Sequence, residues 1–390
     1  MKFNRPLFYA LKSRLGGIPI MDRYIATELI APFLFNVGIF SLLGVAVGYL
    51  SDLANKVIEF NLPIVEAVEV FLLKVPEFVS YALPLSVLLS TLITYGRLGS
   101  NSEIIALRSC GVSLYRIIAP AIALSLIVTG ITFLFNELVV PAANHRATTI
   151  LVESINEEHS FWQTKDIYYP DYETITLPSG ATVQRLKNLF YAKQFDGKKM
   201  RTLTILQWLE ENLHQIVISD SASWNAEQQT WDFFDGTIYK IAPDADYGES
   251  RSFSRQQIPL SRVPFDLAVL SRDPYEMNIA QAQAYMKILR AIGDEKKLLT
   301  FQIRTQQKMS FPFVCLVFGV VGSALGTRPQ QMSRATSFAL CVAIVFFYYV
   351  LGFFLGSLGT IGFFPPFLAA WLPIFIGLGV GGWLLARASQ

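Results

Sequence analysis

Few residues in this chain have the types and spacing that chemistry requires. His145, His159 and His214 are its three histidines, and none has a neighbour at zinc-ligand spacing, so each reads as a surface or core side chain. Gly377-Leu378-Gly379-Val380-Gly381-Gly382 matches Gly-x-Gly-x-x-Gly. A dinucleotide loop follows a strand, however, and this run lies inside an apolar stretch where small residues serve close helix packing. No Gly-x-x-x-x-Gly-Lys-Ser/Thr loop occurs, which excludes nucleotide hydrolysis by that route. The apolar spans carry no Ser/His/Asp set and no acidic pair. The expectation is a chain that is not an enzyme, needs no cofactor and no metal, and acts mechanically or as a conduit.

The strongest local signal is Gly96-Arg97-Leu98-Gly99-Ser100-Asn101-Ser102-Glu103-Ile104-Ile105-Ala106-Leu107-Arg108-Ser109-Cys110-Gly111-Val112-Ser113. Ser100 and Glu103 have capping-box spacing, and Gly111 is placed to end a helix in the left-handed conformation. These residues predict a helix over about 100–110, three turns and roughly 15 Å long, lying along the membrane with Ile104, Ile105 and Leu107 as apolar anchors. A short helix between two spans is something a separate motor can grip. An ordinary interfacial loop helix fits the same residues.

The elements that position this block are membrane spans. Ala335 to Ala386 contains no Asp, Glu, Lys or Arg and is far longer than the roughly 20 residues of one crossing. The run Ser357-Leu358-Gly359-Thr360-Ile361-Gly362-Phe363-Phe364-Pro365-Pro366 breaks it into two helices. Leu29 to Leu50, Ile117 to Phe135 and Met309 to Gly326 are three further spans. A longer one, about Ile64 to Gly96, carries Glu66, Glu69, Lys74 and Glu77 in its first half, with Pro76 and Pro84 as expected kinks. The run at Leu29 is too long for a signal-peptide core and reads as a retained helix.

Basic residues fall in the segments that share one side. Lys2, Arg5, Lys12, Arg14 and Arg23 precede the first span; Arg97, Arg108 and Arg116 separate the second and third; Arg328 and Arg334 separate the fourth and fifth; Arg387 follows the sixth. By the positive-inside rule these segments and both termini are cytoplasmic. The net charge of +2 then says little about partners, since its distribution carries the information, and nothing points to nucleic acid.

The central stretch, roughly Pro141 to Arg304, is expected on the extracytoplasmic side. Leu203 to Leu209, His214 to Ser221 and Trp231 to Ile241 alternate polar with apolar residues, and Asp196-Gly197 and Asp235-Gly236 offer turn chemistry. This predicts strands closed as a sandwich or roll. None of Cys110, Cys315 and Cys341 lies there, so the domain is held by its core without disulfides. Asp273-Pro274 and the pair Asn278 and Gln281 then signal a helix over about Ile279 to Ile292.

With these blocks quoted, the chain resembles the LptF/LptG family, the transmembrane subunits of an ATP-driven lipopolysaccharide exporter. The resemblance runs through Met21-Asp22-Arg23-Tyr24-Ile25, the Gly96 to Ser113 block, Asn136-Glu137-Leu138-Val139-Val140-Pro141, Trp231-Asp232-Phe233-Phe234-Asp235-Gly236, Asp273-Pro274-Tyr275-Glu276-Met277, Pro312 to Gly326, and Tyr348-Tyr349. It implies an α-helical membrane protein of six transmembrane helices, three on each side of a periplasmic β-jellyroll. The expected divisions are 1–140, 141–272, a connecting region 273–304, and 305–390. Two such subunits, the same or different chains, would form a V-shaped cavity in the bacterial inner membrane, gated laterally at the first and fifth helices. The implied partners are a cytoplasmic ABC ATPase dimer, periplasmic bridge proteins, and lipopolysaccharide or a similar anionic glycolipid. The resemblance makes Ser100 to Cys110 the coupling helix, with Arg97, Ser100, Glu103, Ile104, Leu107 and Arg108 as its contact residues and Glu103 as the acidic one.

Family members can carry a basic residue near the outer end of the first helix, whereas Gly44 to Ser51 has none, and the N-terminal extension 1–20 is longer than the motif needs. Headgroup candidates are therefore the basic residues that break the positive-inside bias: Lys56, Arg146, and Arg304 with Lys308 one turn apart. Each also fits plain snorkelling. Leu203, Ile205, Ile216 and Ile218 are the candidate lining of a lipid conduit in the β-domain. Beside extraction of lipid stands a second reading, a mechanotransmission or scaffold protein that uses the same ATPase grip without carrying lipid. An ion-coupled transporter is disfavoured by the lack of ionisable residues on the clean spans.

Overall fold

The computed structural model describes residues 19–60, 62–154, 164–176, 182–195, 199–209, 212–225, 228–241, 247–264, 277–292, 295–327 and 334–389. Most of the N-terminal extension, Asp196-Gly197 and Asp273-Pro274 fall outside them. The chain divides into two compact units. One comprises Met1–Asn55, Phe71–Asn144 and Gln302–Gln390, and the other Lys56–Val70 and His145–Phe301.

Six helices among the described residues are long and apolar enough to cross a membrane: Ile20–Ile58, Ile64–Ser100, Leu114–Leu151, Glu295–Gly326, Ala335–Thr360 and Pro366–Ala388. In detail they are α1 (Ile20–Gly48) with α2 (Leu50–Phe60), α3 (Ile64–Ser100), the short α4 (Glu103–Ser109), α5 (Leu114–Leu134) with α6 (Val140–Ser154), α8 (Glu295–Ser310) with α9 (Val314–Gly326), α10 (Arg334–Thr360) and α11 (Pro366–Ser389). A further helix, α7 (Ile279–Ile292), precedes α8. A lipid-facing backbone must satisfy its own hydrogen bonds, which is why these runs form helices through Pro76, Pro84, Pro120 and Pro373.

Close approach of backbones holds the spanning unit together. A Cβ on Gly322 would lie 2.1 Å from Thr91 Oγ1, one on Gly319 2.6 Å from Ser125 Cβ, and one on Gly326 2.8 Å from Tyr95 Cβ. These three glycines seat α9 on α3 and α5. Gly377 and Gly381 seat α11 on α9 in the same way, against Val317 and Val320, so the Gly-x-Gly-x-x-Gly match serves packing. Buried hydroxyls such as Ser86, Ser90 and Thr91 donate to carbonyls of their own helix, which removes the cost of carrying them at depth. Two charges in the first half of α3 are paired. Lys74 lies 3.2 Å from Glu77, Asn144 donates to Glu77 at 3.1 Å, and Lys74 stands over the Tyr49 ring.

The second unit contains six strands in one sheet that follows chain order: β1 (Thr164–Thr176), β2 (Thr182–Phe195), β3 (Met200–Leu209), β4 (Asn212–Asn225), β5 (Thr230–Ile241) and β6 (Tyr247–Ile258). All pairings are antiparallel between consecutive strands, so the described ladder is a meander, where a jellyroll implies crossed connections. Its core is Ile167, Phe190, Ala192, Phe195, Met200, Leu203, Ile205, Val217, Ala222, Trp231 and Phe233. The buried positions change phase along one line: from Ala192 to Phe195, from Leu203 back to Met200, and from Ser219 to Ala222. The line passes through Thr202 and Asp235, which have φ of 51° and 47°. Asp235-Gly236 is therefore not a hairpin turn. Its left-handed freedom is spent in mid-strand, and Gly236 is needed because a Cβ there would meet Ile218 O and Phe253 Cζ at 2.5 Å.

The helix after the sheet forms where its start signal places it. Asn278 Oδ1 accepts from the Gln281 amide at 2.8 Å, and Gln281 Oε1 accepts from the Asn278 amide at 3.0 Å, a reciprocal capping box at the head of α7. Its apolar face, Ala282, Tyr285 and Leu289 with Met277, packs with Tyr169, Leu298 and Phe301.

Candidate functional site

The short helix α4 has a different start from the one its sequence suggests. Ser100 closes α3, and its hydroxyl donates to Gly96 O at 2.9 Å. The residue before α4 is Ser102, with φ of 60° and no side-chain cap. The capping box is absent because α3 runs to Ser100 and leaves only Asn101 and Ser102 for the turn. The helix keeps seven residues, about 10 Å of length in place of about 15 Å. Its end matches expectation: Gly111 has φ of 84°, Val112 N donates to Leu107 O at 3.1 Å and Gly111 N to Arg108 O at 2.9 Å. This is a Schellman stop.

Ile104 anchors α4, 4% exposed in a core shared with Ile25 and Leu29 of α1, Leu98 of α3, and Leu384 and Leu385 of α11. Leu107 packs against the same core. Ile105 lies outside that core, 54% exposed beside exposed Ala106, Arg108 and Ser109. Arg108 Nη1 reaches the Ala388 carbonyl of α11 at 3.5 Å.

Polar ties surround this seat. Tyr24 OH donates to Glu103 Oε2 at 3.0 Å, and Asn101 Nδ2 donates to Glu103 Oε1 at 3.1 Å. Arg97 at the end of α3 pairs with Glu28 of α1, and Arg116 at the start of α5 pairs with Asp22 of α1 at 2.6 Å. The Glu103 carboxylate is thus half-buried, with both oxygens engaged inside the chain. Sequence reasoning missed Asp22, Tyr24, Glu28 and Arg116. The signal available was the Met21 to Ile25 block, whose polar residues stand at helical spacing from buried Ile25 and Leu29.

The basic candidates are divided between the two units. Gly326 against Tyr95 puts the end of α9 beside the end of α3, so Arg304 and Lys308, at the start of that spanning helix, lie at the opposite end of the unit from α4. Arg304 is exposed and Lys308 half-buried, with Glu137 close enough to act on its charge. Arg146 is exposed on α6 and Lys56 half-buried on α2, both in the other unit.

The four conduit candidates do not share a face either. Leu203 pairs with Ser219 and Ile205 with Val217, on the buried side of the sheet. Ile218 pairs with Thr204 and Ile216 with Leu206, one register step away and so on the other side, where Ile218 is 44% exposed. On the buried side a polar rung follows the apolar layers: Asn188 donates to Asp171, Gln207 to Asn188, and Gln215 to Gln207.

Six apolar helices, with an antiparallel β-domain inserted between the third and fourth, define a multi-pass helical membrane protein of the bipartite kind. The chain belongs to the lipopolysaccharide export system permease LptF/LptG family, which it matches over residues 23–387. It is 22% identical over 389 residues to the lipopolysaccharide export system permease protein LptG of Haemophilus influenzae, across 95% of this chain and 99% of that protein.

Proposed function

We propose that this permease extracts lipopolysaccharide or a similar anionic glycolipid from the inner membrane and hands it to periplasmic bridge proteins, driven by a separate cytoplasmic ATPase. The observation that carries the reading is α4. It is a helix stopped at both ends, held to the bundle through Ile104, and open to an outside partner along Ile105, Ala106, Arg108 and Ser109. With the basic segments cytoplasmic, that face is available to the motor, and the β-domain lies in the periplasm. Glu103 joins the contact through its remaining lone pairs, since a carboxylate offers about four acceptor positions.

A second permease subunit covers the first and fifth spanning helices, whose most apolar stretches are only 22% and 6% buried, the two lowest values of the six. Acyl chains enter the β-domain by displacing its packed face, at Leu203 and Ile205, while Ile216 and Ile218 lie on the other face of the sheet. Arg304 and Lys308 meet headgroup phosphate, with Arg146 and Lys56 as further contacts.

The test is lipid release from vesicles holding the assembled complex. Glu103→Lys removes both acceptors and reverses the charge, so ATP-driven release should fall to the level without ATP while the protein still inserts. Full release by Glu103→Lys would reject α4 as the grip. ATP hydrolysis that is stimulated by the wild-type permease, but without any lipid release, would return the reading to mechanotransmission.

A further inference from the structure

Three side chains at the foot of α1 reach three successive pieces of chain. Asp22 holds Arg116 of α5 at 2.6 Å, Tyr24 holds Glu103 of α4 at 3.0 Å, and Glu28 holds Arg97 of α3, with the Glu28 carbonyl also accepting from Thr94 Oγ1 at 3.0 Å. Tyr24 and Glu28 are four residues apart and so stack on one face of the helix. Between them and Asp22 runs the buried stripe Ile25 and Leu29, in the same core as Ile104. The foot of α1 and the whole of α4 therefore pack and bond as one body. Beyond that foot α1 leaves one face exposed at Leu34, Phe35, Leu42, Leu43 and Val47, while Val45 is buried and Gly44 and Gly48 lie against the Phe78 ring of α3.

Resting on the proposed motor contact at α4, we infer that Tyr24 is the positioning residue through which α4 takes hold of the first helix. Its hydroxyl fixes the Glu103 carboxylate, and displacement of α4 carries the foot of α1 with it. Apolar packing through Ile104 holds α4 to the core by burial, which is non-directional. A hydrogen bond to a carboxylate is directional and sets the register between the two helices. Asp22 and Glu28 lock the same foot to α5 and α3, so the body that moves is defined on all sides.

Tyr24→Phe isolates the link, because the ring stays, the hydroxyl goes, and the side chain is 44% exposed, so folding is not at stake. In reconstituted complex the expected result is lipid release per ATP hydrolysed lowered about fivefold, the scale of one net hydrogen bond, with ATP turnover retained. Unchanged release per ATP overturns the inference while leaving the motor contact standing. A parallel loss of turnover and release also overturns it, because the residue would then serve docking or folding. Absence of ATP-driven release in the wild type fails the functional reading itself.

A second measurement needs no change at Tyr24. Spin labels are placed at Thr27→Cys on α1 and at the native Cys110 at the end of α4, both exposed and both outside the face assigned to the motor, the other two cysteines being buried. Their separation should stay constant through the ATP cycle. A nucleotide-dependent change in that distance would show the two helices moving independently and overturn the link.

Discussion

Asp232 shows how a single carboxylate in the β-domain sets a pH limit on the fold. It is 5% exposed, accepts from Gln257 Nε2 at 2.8 Å, and pairs with Arg255 at 2.9 Å. The Gln257 hydrogen bond, then Arg255, hold its carboxyl below the usual carboxylate range despite burial, which pushes the other way. A group whose folded pKa is depressed adds stability that is complete above its unfolded pKa and is lost as pH falls through the folded one. The β-domain should therefore weaken on acidification below the ordinary carboxylate range. Asp232 adjoins Trp231, which packs 5.6 Å from Trp224, so thermal unfolding followed by tryptophan emission of the intact protein reads this directly. Asp232→Asn should lower stability at neutral pH and flatten its fall towards acid. An acid response unchanged by Asp232→Asn would assign the effect to other carboxylates.

Among the elements, the sheet crease makes the next test. Thr202 and Asp235 adopt left-handed conformations that non-glycine residues rarely take, and Gly236 lies in contact with Ile218 O and Phe253. Gly236→Ala should cost about 1–3 kcal/mol in the stability of the full-length protein, as overpacking does. A denaturation midpoint equal to wild type would show that the strand shifts freely at that point. The same crease explains what could be read from residues alone and what could not. Alternation placed β3, β4 and β5 close to their bounds, because a half-buried strand needs apolar residues at every second position. It failed at Asp235-Gly236, where a pair that usually turns a hairpin instead bends a strand, and for Ile216 and Ile218, which alternate in phase with one another but out of phase with Val217. Local spacing likewise located the Schellman end of α4 and the capping box of α7, both set by residues within one turn. The start of α4 was missed because the preceding helix runs on to Ser100, and Tyr24 was missed because its partner lies 79 residues away in sequence.

For the whole molecule, the question is which charges remain available to a lipid once the chain has satisfied its own. Lys308 is half-buried with Glu137 near enough to act on its charge, whereas Arg304, one turn earlier, is exposed. A lysine committed wholly to Glu137 would add nothing to headgroup capture, and a snorkelling arginine would bind any phospholipid equally. Charge changes of opposite sign separate these cases. Arg304→Glu with Lys308→Glu should weaken capture of a phosphorylated glycolipid by the complex, measured by photo-crosslinking. The deficit should shrink at high salt, where screening already weakens the wild-type contacts. Glu137→Gln should act the other way, releasing Lys308 towards phosphate and raising capture. If the double charge reversal leaves crosslinking at the wild-type level, these two residues are membrane anchors. If it lowers capture while Glu137→Gln changes nothing, the recognition falls to Arg304 alone.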